Sequence, residues 1–183
     1  MLKNDVFINS IRFVVLVLVQ VLILNHINFL GYINPYLYIL FILLFPLTGN
    51  KSLLIFLGFI LGLTIDMFGD SGGVHAAACV TIAYLRPLLL KFSFGVSYEY
   101  NTIKIHKTDL SNRLIYVFLM VTIHHLIIFL LEVFNIDHIL LVLKNTLFSG
   151  IFSIVLIMGT ITLFSRNVKW ENYYLSLWSS LRE

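Results

Sequence analysis

Charge is what this sequence has least of. Lysine and arginine number 12 and aspartate and glutamate nine in 183 residues, so only 11% of the chain is charged. A soluble domain is about a quarter charged. With 60% of the residues hydrophobic, water could not solvate the apolar surface, and lipid is the solvent that suits this composition. Cysteine is almost missing too. Cys79 stands alone, which excludes an intrachain disulfide and a CxxC redox or metal site. It reads as a small apolar residue inside a helix. No basic run is interleaved with aromatics, so nothing points to nucleic acid. His-x-x-x-His spacing is missing, and no Ser/His/Asp, Cys/His or paired-carboxylate arrangement is legible. The expectation is a protein without catalytic residues, metal or cofactor.

What the chain does have is long apolar runs. They predict an all-α integral membrane protein, a six-helix transmembrane bundle in residues 1–165. The spans lie at about 11–30, 35–49, 52–69, 74–92, 113–134 and 139–164. The first run has no small-x-small cleavage site after it and reads as a retained helix. The second is short, since about 15 residues reach only about 22 Å against about 30 Å of hydrocarbon. Charge decides in favour of its crossing. With six spans and the N-terminus inside, ten of the 12 basic residues face the cytoplasm: Lys3, Arg12, Lys51, Lys91, Lys104, Lys107, Arg113, Arg166, Lys169 and Arg182. Without that crossing, Lys51 and the Lys91–Arg113 connection would be exported, against the positive-inside rule. Both ends are therefore expected in the cytoplasm.

Two stretches outside the spans carry pattern. Residues 97–107 alternate in places, which allows a small hairpin. Residues 166–183 place Trp170, Tyr173, Tyr174, Leu177, Trp178 and Leu181 at intervals of three and four. That is the signature of an amphipathic helix at the inner interface.

Polar residues at membrane depth are costly and are candidates for function. Asp66 is the sharpest. Gly58, Gly62 and Asp66 recur every four residues and so form one stripe, small at two positions and ionisable at the third. The glycines let another helix approach, either a partner's or one of this chain's own. The carboxylate could ligate an ion or substrate, or it could bond a donor on a neighbouring helix or cap the following loop. The structural role is favoured, because ion sites usually gather several converging groups. His75 is a possible polar partner for it. Gly69–Gly73 resembles a phosphate loop only superficially, lacking the lysine and the preceding strand; a tight turn between helices fits better. His124 and His125 are adjacent and point about 100° apart, which suits interhelical hydrogen bonds better than joint metal ligation. Arg86, just before Pro87, could snorkel to the interface.

These residues resemble the rod-shape-determining MreD family. The resemblance rests on the short Pro-initiated segment Tyr32-Ile-Asn-Pro35 through Phe45-Pro46, and on Gly58-Phe59…Gly62-Leu63…Asp66, which looks like the family's GF-x-x-GL-x-x-D stretch. The loop Gly69–Gly73 followed by Ala76, Ala77 and Ala78, and the helix end Ala83-Tyr84-Leu85-Arg86, add to it. It is detailed from about Pro35 to Arg86 and rests on hydropathy beyond. It implies a fold similar to the membrane subunits (S-components) of ECF-type vitamin transporters. It also implies a non-enzymatic scaffolding role in bacterial cell elongation and lateral peptidoglycan synthesis. The implied partners are a single-span MreC-like protein and, indirectly, an MreB-like filament, a RodA-like glycosyltransferase and a penicillin-binding protein. Two other functions are open to the sequence. A vitamin-binding transporter subunit would line a pocket with Asp66, His75, Asn25 or Asn28. A lipid-handling enzyme would use His124 or His125.

Overall fold

The computed structural model describes residues 3–27, 33–47, 49–95, 105 and 108–180. They form six helices: α1 (Lys3–Leu22), α2 (Ile39–Leu43), α3 (Lys51–Gly69), α4 (Val74–Phe94), α5 (Leu110–Val133) and α6 (Ile139–Ser180). Five stretches of the described residues are helical, long and apolar enough to cross a membrane: Val6–His26, Lys51–Gly69, Val74–Phe94, Leu110–Val133 and Ile139–Leu163. This is the build of a multi-pass membrane protein.

The distribution of polarity confirms the solvent. Large apolar side chains point outward all round the bundle, among them Phe7, Leu22, Phe56, Met67, Leu88 and Leu140. Gln20, His124, His125, Ser149 and Ser153 are wholly buried. A protein folded in water reverses that preference. In hydrocarbon, polar groups gain by turning inward to find partners.

The α3–α4 hairpin shows how local chemistry sets the fold. Asn50 caps α3, its side chain accepting from Ser52 N at 2.9 Å. The helix ends where Asp70 turns left-handed, with φ 50°. Gly73 then takes φ 95° immediately before α4, a conformation that costs glycine little. The turn returns α4 antiparallel to α3, at a separation set by Gly62. A Cβ there would lie 2.5 Å from both Ala76 Cα and His75 O. At Gly58 the nearest atom to such a Cβ would be Cys79 O, at 3.4 Å.

Two expectations need correction. The second predicted span, 35–49, is helical only over Ile39–Leu43. Pro35 and Pro46 bracket it, and proline disfavours helix in the residue before it and cannot donate within it. Arg86 does not snorkel; it is 5% exposed and turns into the bundle. The tail to Ser180 forms the end of α6, which runs unbroken for 42 residues. The expected hairpin, apart from Ile105, and the side chains of the tail lie outside the described residues.

Candidate functional site

The unusual feature of this bundle is the chain from Ile33 to Phe45. It lies at the centre of the core, with Tyr38, Ile39, Ile42 and Leu43 fully enclosed, yet most of its backbone is not helical. Irregular backbone at membrane depth survives only where protein groups satisfy it. Five side chains from the surrounding helices do so here.

Gln20 on α1 serves both sides of one peptide turn. Its Nε2 donates to Pro35 O at 3.0 Å and its Oε1 accepts from Leu37 N at 2.8 Å. The same Nε2 donates to Asn25 Oδ1 at 2.9 Å. Between these positions, Tyr36 N donates to Ser153 Oγ on α6 at 2.9 Å. At the far end, Arg12 donates to Leu44 O at 3.2 Å. Arg86 on α4 donates to Leu43 O at 3.4 Å and to Phe45 O. Its Nε donates to Tyr116 Oη at 3.2 Å, and Tyr116 on α5 donates to Leu43 O at 3.4 Å. A guanidinium is well suited to this place. Its donors are fixed in a fork, and its charge faces the carbonyl end of α2.

These contacts also give the segment a direction. Its start meets Gln20, and its end meets Arg12, two turns back along α1. On α4 the start meets His75 and the end meets Arg86, eleven residues further on. The segment therefore runs antiparallel to α1 and alongside α4.

Beside its first half lies a cluster of aromatic and imidazole rings. Tyr38 Oη is 2.7 Å from His75 Nδ1 and 2.9 Å from His124 Nε2. A hydroxyl has one proton, so it donates to one ring and accepts from the other. His124 Nδ1 is buried with no hydrogen-bond partner among the described residues. An orphaned acceptor is easier to tolerate than an orphaned N–H, so His124 carries its proton on Nε2 and donates to Tyr38, which donates to His75. His125 is fixed differently. Its Nδ1 faces Val121 O at 2.9 Å and must donate, leaving Nε2 to accept from Ser153 Oγ at 3.0 Å. Tyr36 packs among the three histidines, with ring centroids 5.1 to 6.1 Å away.

Asp66 sits at one edge of this cluster as a cap. Its Oδ1 accepts from Ser71 Oγ at 2.6 Å and from His75 N at 3.0 Å, and its Oδ2 accepts from Ala76 N at 2.8 Å. The carboxylate of one helix thereby neutralises the positive end of the next. His75 meets Asp66 through its backbone and Tyr38 through its ring. Gly58 and Gly62 face α4 of the same chain, not an open surface. Comparison of the chain with protein-family models, with curated proteins and with solved structures gives no match.

The structure therefore brings Gly58, Gly62, Asp66 and His75 together at the α3–α4 seam. Among the described residues, no group of three or more His, Cys, Asp or Glu is placed to hold a metal. Of the residues suggested for a vitamin pocket, Asp66, His75 and Asn25 are already engaged with neighbours, and Asn28 lies outside the described residues. Gln20, Arg12, Tyr116 and Ser153 were missed by sequence reasoning. Their signal was present: Gln20 interrupts an apolar run, and Thr146, Ser149 and Ser153 recur on one face of α6. Replacing Gln20 by leucine is expected to strip Pro35 O and Leu37 N of their partners. The loss should be about 2 kcal/mol, the lower end for two buried groups left unpaired. Thermal unfolding of the detergent-solubilised protein would read it as a lowered midpoint, and an unchanged midpoint would contradict the role given to Gln20.

Proposed function

We propose that the chain is a non-enzymatic membrane component of the bacterial cell-elongation complex, acting as a rigid scaffold for a single-span MreC-like partner. One observation carries this. The stretch that resembles the MreD family, from Pro35 to Arg86, forms the mechanical centre of the bundle, and its polar residues hold each other. Gly62 seats α4, Asp66 caps it, and Arg86 closes the end of the unwound segment. Chemistry spent on internal struts suits a platform better than a turnover site. With the Gly58–Gly62 stripe covered by α4, the docking role passes to an outward face of the bundle.

In this reading the chain crosses the inner membrane six times, and 33–47 makes the second crossing as partly extended chain. Extended backbone rises about 3.3 Å per residue, so fewer residues than a helix needs can cover the same depth. The order of contacts from Gln20 to Arg12 along α1 gives the direction such a crossing needs, and the gathering of basic residues at one set of ends supports it. Both termini are then cytoplasmic.

The test has two parts. Cysteines placed singly at Gly72, Ser97 and Asp137, with Cys79 changed to Ala, should label in intact cells only at Gly72 and Asp137. Labelling of Ser97 from outside would overturn the topology. The tagged protein should also co-purify with an MreC-like protein, and its depletion should turn rods into spheres. A vitamin carried through purification in place of that partner would overturn the function.

A further inference from the structure

We propose that the groove between the first turn of α3 and the second half of α4 binds an anionic phospholipid. It has a volume of about 450 Å³ and is lined by Lys51, Ser52, Ile55, Ala83, Tyr84, Pro87 and Leu88.

Its position follows from Lys51, the first residue of a membrane-crossing helix, so the groove opens at the boundary between headgroups and hydrocarbon. Polarity is graded along it. The Lys51 ammonium and Ser52 hydroxyl lie at the boundary, while Ile55 is one turn deeper. On the antiparallel facing helix Leu88 stands beside the Lys51 end and is 65% exposed. A headgroup phosphate fits Lys51 and Ser52, and an acyl chain can run past Leu88 and down over Ile55. Among the described residues no acidic side chain lines the groove, so its charge complements an anion. The choline of a neutral lipid would instead set a fixed cation beside Lys51. Basic pockets between transmembrane helices are a recurrent way of holding anionic headgroups.

This site uses no part of the elongation proposal, and the two can fail separately.

The experiment is native mass spectrometry of the full chain, released from neutral detergent after titration with phosphatidylglycerol or phosphatidylcholine of matched acyl chains. The wild type should retain phosphatidylglycerol about fivefold more strongly, the factor one lysine supplies at an anionic lipid surface. Lys51→Gln should abolish the preference, and Ser52→Glu should do so independently by placing a carboxylate in the same groove. Lys144→Gln, on α6, should keep it. Equal retention of both lipids by the wild type would overturn the proposal. So would a preference that survives both groove variants, or displacement of the lipid by equimolar soluble glycerol phosphate.

Discussion

Gly62→Leu is expected to abolish the folded bundle, whereas Gly58→Ala should leave it nearly unchanged. The two glycines share a helix face, and sequence alone treats them alike. The packing separates them. At Gly62 even a single methyl would sit 2.5 Å from Ala76 Cα and His75 O. These are backbone atoms and cannot rotate away, so α3 and α4 would have to part. Overpacking costs about 1–3 kcal/mol where side chains can give, and with rigid backbone in the way the loss should exceed that range. Parting the helices would also draw the N-terminus of α4 away from Asp66. At Gly58 the added methyl meets Cys79 O at 3.4 Å and Ala83 Cβ at 3.5 Å, which is ordinary contact, and alanine is the better helix former by about 1 kcal/mol. Size-exclusion profiles and unfolding midpoints in detergent would show a lost monodisperse peak for Gly62→Leu and a normal one for Gly58→Ala. Equal behaviour of the two variants would refute this account of the seam.

Asp66→Ala should be nearly as damaging. The carboxylate accepts from Ser71 Oγ, His75 N and Ala76 N, and both amides belong to the buried opening of α4. Alanine would leave them with neither water nor protein to bond. Orphaned buried donors cost about 1–3 kcal/mol each, so about 3 kcal/mol is the expected loss. Asp66→Asn retains one accepting oxygen, which can keep Ser71 Oγ and His75 N while its NH2 leaves Ala76 N unpaired, and should lose about half as much. If Asp66 were an ion ligand and not a cap, alanine would leave thermal stability intact and remove only an ion dependence.

Much of the α3–α4 seam was legible beforehand. A period of four linking Gly58, Gly62 and Asp66 is local information, and helix geometry turns it into one face. The adjacent histidines were legible for the same reason: two neighbours on a helix must serve different partners, as His124 does with Tyr38 and His125 with Ser153. The unwound segment was not. Hydropathy reports burial, and residues 35–47 are deeply buried, but it cannot say whether buried backbone bonds to itself or to side chains elsewhere. Only the prolines hinted at the difference. Arg86 was misjudged on the same ground, because the carbonyls that draw it inward lie more than 40 residues away in sequence.

That separation bears on how the protein is made. Most helices can enter a bilayer as soon as they emerge, with their peptide groups already paired. The stretch from Pro35 to Phe45 cannot. Its amide at Tyr36 waits for Ser153, which is 117 residues further on, and its last carbonyls wait for Arg86 and Tyr116. Biogenesis must therefore hold this piece in a sheltered, wet place until synthesis is almost complete. A premature stop anywhere before α6 should leave a product that quality-control proteases recognise.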